Sequence, residues 1–120
     1  MEEYPRIGQP SALLIKHLFD RVLLWAPQQK IVYRDLHEFT YLEFHARVQR
    51  LAQVLVGLGV RAGDKVGVMD WDSHRYLELF FAVPMIGAVL HTVNVRLSPE
   101  QTAFTVHHAQ DKVQIGRAHV

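Results

Sequence analysis

A chain of 120 residues, 49% apolar and 21% charged, has the composition of a globular protein, long enough to take about two-thirds of its unfolded surface out of water. Its 13 basic and 12 acidic residues are scattered and leave a net charge of +1, which argues against nucleic-acid binding and against an acidic partner. The absence of cysteine rules out disulfides and thiolate metal sites, and a cytoplasmic setting is expected. The opening stretch MEEYPRIGQPS lacks the basic-then-apolar order of a signal peptide. No transmembrane segment is expected either, since no apolar run approaches the roughly 20 residues of a membrane span.

Ser11 is placed to open a helix over about 12–25, which Pro27 stops. Lys16, His17, Asp20 and Arg21 form its polar face, with Leu14, Ile15, Leu18, Val22 and Trp25 on a wide apolar side. The segment KIVYRDLHEFTY reads as a hairpin, with a strand near 31–34 and a return strand ending at Phe39. Thr40 and Glu43 then make a capping box, in which each side chain satisfies a backbone N–H that the helix start leaves open. Tyr41, Phe44, Val48, Leu51, Leu55 and Leu58 recur at threes and fours as one buried stripe, and Gly59 suits a left-handed cap.

KVGVMD, at 65–70, is a short apolar strand of the kind buried on both faces. Asp72 or Ser73 caps a helix to about Ile86, Pro84 disturbs its last turn, and Gly87 ends it. A second buried strand is expected over 89–95. Ser98, Pro99 and Gln101 then start a helix running to about His108, and DKVQI begins a third strand. This alternation predicts an α/β fold, a hairpin followed by helices and mainly parallel strands joined by right-handed crossovers.

Three site patterns arise. Gly57, Gly59 and Gly63 lie at the end of a helix and before a strand, the wrong side of both for a dinucleotide loop, so they are cap and turn. VGVMDWD ends a strand in Asp-x-Asp, the local pattern of haloacid-dehalogenase-type phosphotransferases. There Asp70 would attack phosphorus and Asp72 would protonate the leaving group. The competing reading makes this stretch a strand end followed by a helix cap. None of the eight histidines stands in a His-x-x-x-His pair, and adjacent His107 and His108 point about 100° apart on a helix, so no metal site is expected. His74 and His91 fall near the carboxyl edge of the sheet, where doubly wound folds bind ligands. A non-catalytic module, using the apolar helix 12–25 on a partner or as a peripheral membrane contact, is the third alternative.

The longest pattern is composite. Thr40-Tyr41 precedes a leucine- and alanine-rich helix. Leu58-Gly59-Val60, Gly63-Asp64, Phe81-Ala82, Gly87-Ala88-Val89, Asn94 and the LSPEQ helix follow in order. Together they resemble the beginning of the large domain of adenylate-forming (AMP-binding) enzymes of the acyl-CoA synthetase superfamily, most similar to the medium- and long-chain fatty-acid CoA ligases. The resemblance spans about 10–113 and implies an N-terminal fragment of such a ligase. The parent would use ATP, Mg²⁺ and coenzyme A to activate a fatty acid. The family's Ser/Thr/Gly-rich loop ending in lysine and its Tyr-Gly-x-Thr-Glu segment are absent here, so no catalytic, cofactor-binding or metal residue is carried over. The fragment is expected to be inactive alone and to self-associate. Residues 1–113 would be a partial AMP-binding domain. QIGRAHV, 114–120, resembles an in-frame sequencing adapter and is expected, like 1–10, to be disordered.

Overall fold

The computed structural model describes residues 14–116. In chain order they form α1 (Ile15–Trp25), β1 (Lys30–Tyr33), β2 (His37–Thr40), α2 (Tyr41–Gly57), β3 (Lys65–Met69), α3 (His74–Met85), β4 (Val89–Thr92), α4 (Pro99–Ala109) and β5 (Val113–Gly116). β1 and β2 make an antiparallel hairpin, and the other three strands form a parallel sheet in the order β4-β3-β5. The chain therefore steps one way from β3 and then returns past it, which is the doubly wound plan. Among the described residues no helix is long and apolar enough to cross a membrane.

The helix starts follow local chemistry. Thr40 Oγ1 accepts the Glu43 N–H at 3.1 Å while Glu43 Oε1 accepts the Thr40 N–H at 3.2 Å. Ser98 and Gln101 repeat this at α4, with Pro99 at its first position. Of the two caps proposed for α3, Ser73 serves, accepting the Tyr76 N–H at 3.3 Å. Gly59, at φ 93°, takes the left-handed conformation that lets the chain leave α2. Thr40→Ala is expected to cost about 1 kcal/mol, read from the urea midpoint at unchanged m-value.

The core lies between one sheet face and α1, α2 and α3. It contains Phe44, Val48, Ala52 and Leu55 from α2, Val66 and Val68 from β3, and Leu79, Ala82 and Val83 from α3. Phe19 joins α1 to it, stacking on Phe81 at 4.6 Å and meeting Phe44 edge-on at 5.7 Å.

Several expectations are corrected. The proposed cap Ser11 lies outside the described residues, and α1 begins after Leu14 without a side-chain cap. Phe19 is its buried residue, whereas Leu18 is 65% and Trp25 78% exposed. The apolar arc of α1 is too wide for one contact, so only the seam through Phe19 docks. In the α2 stripe Leu58 is likewise exposed, because it falls past the last helical residue and leaves the seam.

Only β3, the central strand, is buried on both faces. β4 is a partly exposed edge that ends at Thr92 rather than 95, where the Asn94 side chain accepts the Arg96 N–H and turns the chain. Residues 114–116, expected outside the fold, pair with β3 as the end of β5. Ladder pairing uses backbone groups, and Ile115 packs against the core, so the strand needs little from its other side chains. Residues 117–120 and 1–10 lie outside the described residues.

Candidate functional site

The carboxyl end of β3 runs into the loop Asp70–Ser73, and the β1–β2 hairpin folds over it. Between them is a cavity of about 170 Å³ lined by Tyr33, Arg34, Leu36 and His37 from the hairpin and by Asp70, Trp71, Ser73, His74 and Arg75. Arg34 holds φ 49°, a left-handed turn conformation that closes the loop between the strands.

Asp70 is occupied at both oxygens. Oδ1 accepts the Trp71 N–H at 2.8 Å and Oδ2 accepts the Ser73 hydroxyl at 3.0 Å. The carboxylate thus holds the loop that places Ser73 as the α3 cap, while Asp72 stands exposed. Neither Asp70 nor Asp72 is arranged as the nucleophile-and-acid pair of a phosphotransferase; the scaffold reading describes them better. Among the described residues no three histidine or carboxylate side chains cluster as a metal site.

His74 lies at the start of α3, only 6% exposed, and its Nδ1 is buried with no hydrogen-bond partner. Its ring packs by those of His37 at 4.5 Å, Tyr33 at 5.2 Å and Phe39 at 5.6 Å. Burial pushes the imidazole below its ordinary pKa, followed by the charges of His37, Arg75 and Arg47, with Glu78 opposing. Glu78 is itself buried and accepts Arg47 Nε at 2.7 Å, while the guanidinium lies over the Phe39 ring. Burial, then Asp72 and Asp70, raise the Tyr76 phenol, which stays protonated at neutral pH.

His91 is elsewhere. Its Nδ1 lies 2.8 and 2.9 Å from the two oxygens of Asp111, whose side chain is 0% exposed. A carboxylate only accepts here, so Nδ1 carries the proton. Gly67 makes the room, because a Cβ there would stand 2.5 Å from Asp111 Oδ2. Of the two histidines singled out in the sequence, His74 lines the cavity and His91 ties the start of β5 across β3 to β4. Sequence reasoning missed Arg34, His37 and Arg75 as neighbours of His74. It also missed Asp111, although a glycine inside an apolar strand signals a close approach. The cavity has cationic and hydrogen-bonding groups, and its Ser73 hydroxyl is committed to Asp70 and to the Tyr76 N–H as the α3 cap.

The family model described as "AMP-binding enzyme" matches residues 20–120. A long-chain-fatty-acid–CoA ligase of Thermus thermophilus is 38% identical over 117 residues, covering 94% of this chain and 22% of its own length. A medium-chain-fatty-acid–CoA ligase of Ectopseudomonas oleovorans is 38% identical over 71 residues, covering 59% of this chain and 13% of its own. Among solved structures, a fatty acyl CoA synthetase of Mycobacterium tuberculosis superposes with a TM-score of 0.80 at 26% identity, over 86% of this chain and 21% of that one. The chain thus spans about a fifth or less of the relatives it matches, and its hairpin, helices and parallel strands coincide with the N-terminal part of their large domain. By the match across most of its length, the chain belongs to the AMP-binding enzyme family.

Proposed function

We propose that this chain is the N-terminal part of a fatty-acid CoA ligase. The observation that carries the reading is the 38% identity to the Thermus long-chain ligase across 94% of the chain. In the parent, a fatty-acid carboxylate would attack the α-phosphorus of ATP, releasing pyrophosphate and forming an acyl-adenylate. The thiol of coenzyme A would then attack the acyl carbonyl, releasing AMP and leaving the thioester. Mg²⁺ would neutralise charge on the departing pyrophosphate. A cytoplasmic setting fits the cysteine-free composition.

The residues of this chain supply scaffold to that chemistry, so the fragment alone is read as inactive. Its apolar helix surface, with Leu18, Leu24 and Trp25 exposed, supports self-association of the isolated chain.

Two measurements test the reading. Sequencing the gene past the codon for Val113 should reveal a Ser/Thr/Gly-rich loop ending in lysine; an uninterrupted frame without one would overturn the ligase assignment. The purified chain, given a fatty acid, ATP and Mg²⁺, should show no ATP–pyrophosphate exchange above the blank. Exchange above it would overturn the claim of inactivity.

A further inference from the structure

The β1–β2 hairpin is held at two levels. At its root Ile31 and Phe39 pack against the core, and the Gln29 and Pro27 carbonyls accept the Tyr41 and Leu42 N–H groups. Its tip rests on the start of α3, where the His74 ring lies 4.5 Å from that of His37 and 5.2 Å from that of Tyr33. A neutral imidazole fits this packing. An imidazolium does not, because both of its nitrogens carry protons that need acceptors, and the buried Nδ1 has none. A charge buried without a partner is costly, so protonation works against docking.

The charges that face His74 from the packed elements mostly add to this cost. His37 comes from the hairpin, Arg75 from α3 itself and Arg47 from α2, and after burial these three disfavour the protonated ring. Tyr33 brings a phenol ring rather than a counter-charge. Glu78 opposes them, but it already accepts Arg47 Nε at 2.7 Å. In the adjoining cavity Arg34 is a further cation, and both Asp70 oxygens are committed to Trp71 and Ser73. Once the tip is released, the ring meets water and titrates near the ordinary histidine value of about 6.5. Docking therefore contributes in full above that pH and weakens as the pH falls below it, because the released form binds the proton more readily.

We propose that the hairpin tip is a pH-sensitive latch: protonation of His74 frees it from the start of α3 and uncovers the loop Asp70–Ser73 at the carboxyl end of β3. The root stays packed, so the hairpin swings rather than unfolds. The latch would control access to the sheet end where doubly wound folds accept ligands. It stands on the geometry of this chain and is independent of the ligase reading.

The test follows nuclear Overhauser contacts in the ¹³C-labelled chain from about pH 7.5 to about pH 5, a range that spans histidine titration. Contacts of the His74 ring with the Tyr33 and His37 rings should lose at least about half their intensity, with the midpoint of the His74 ring's own titration. The Phe19–Phe81 contact in the core, 4.6 Å between ring centroids, should persist. His74→Phe keeps a ring but gains no proton, so its contact with Tyr33 should survive to the lowest pH. Should that variant fail to fold, His37→Gln, at an exposed residue, takes its place. The acid loss of the His74–Tyr33 contact should remain there, since His74 is the trigger. Contacts that persist through the complete titration of His74 overturn the latch. So does a loss shared by the Phe19–Phe81 contact, a loss equal in folded His74→Phe, or a loss abolished by His37→Gln.

Discussion

His91→Ala is expected to destabilise the protein by about 3 kcal/mol, a large part of the 5–15 kcal/mol typical of a domain. The cost comes from the group left behind. The Asp111 side chain is fully buried, and His91 is its side-chain partner among the described residues, so the substitution leaves that carboxylate without its partner. The estimate sits at the low end for a broken buried pair because the His91 side chain is 25% exposed. The double variant His91→Ala/Asp111→Ala should recover much of the loss, since it removes the stranded charge along with its partner. Urea unfolding of both singles and the double closes the cycle. Single and double variants equally unstable would show that packing, not the orphaned carboxylate, carries the effect. Gly67→Ala should weaken the same contact from beneath, because its Cβ would stand 2.5 Å from Asp111 Oδ2 and the carboxylate would have to shift against His91.

Leu55→Ala is expected to cost about 3 kcal/mol, while Leu58→Ala costs less than about 0.5 kcal/mol. Leu55, on α2, is 0% exposed within the core that includes residues of α3 and β3, so truncation leaves a cavity there. Leu58 is 60% exposed and loses few contacts. Unfolding free energies from matched urea curves would separate the two; equal losses would mean that Leu58 is covered in solution, by another copy of the chain for example.

Those two leucines mark where sequence reading stops. Both fit the spacing of one helical stripe, and nothing local tells them apart. What divides them is that α2 ends at Gly57 and α3 crosses it further back. α1 shows the same limit: its composition predicts a wide apolar side, yet which seam docks depends on where Phe44 and Phe81 stand. The strand 89–95 was read as buried from its apolar wording, and its place at the sheet edge is a matter of topology.

What the sequence determined by itself was local or cumulative. The Thr40–Glu43 and Ser98–Gln101 boxes, the left-handed Gly59 and the order of helices and strands depend on groups within a few residues of one another. Family membership was also legible, because many spaced features agree along most of the chain. Tertiary structure alone decided the partners of the polar groups. His74 meets Tyr33 and His37 only because the hairpin folds over the α3 start, and His91 meets Asp111 only because β5 returns beside β3. Such contacts join residues far apart in the chain. They are set by how apolar faces stack, a choice that local hydrogen bonding does not encode.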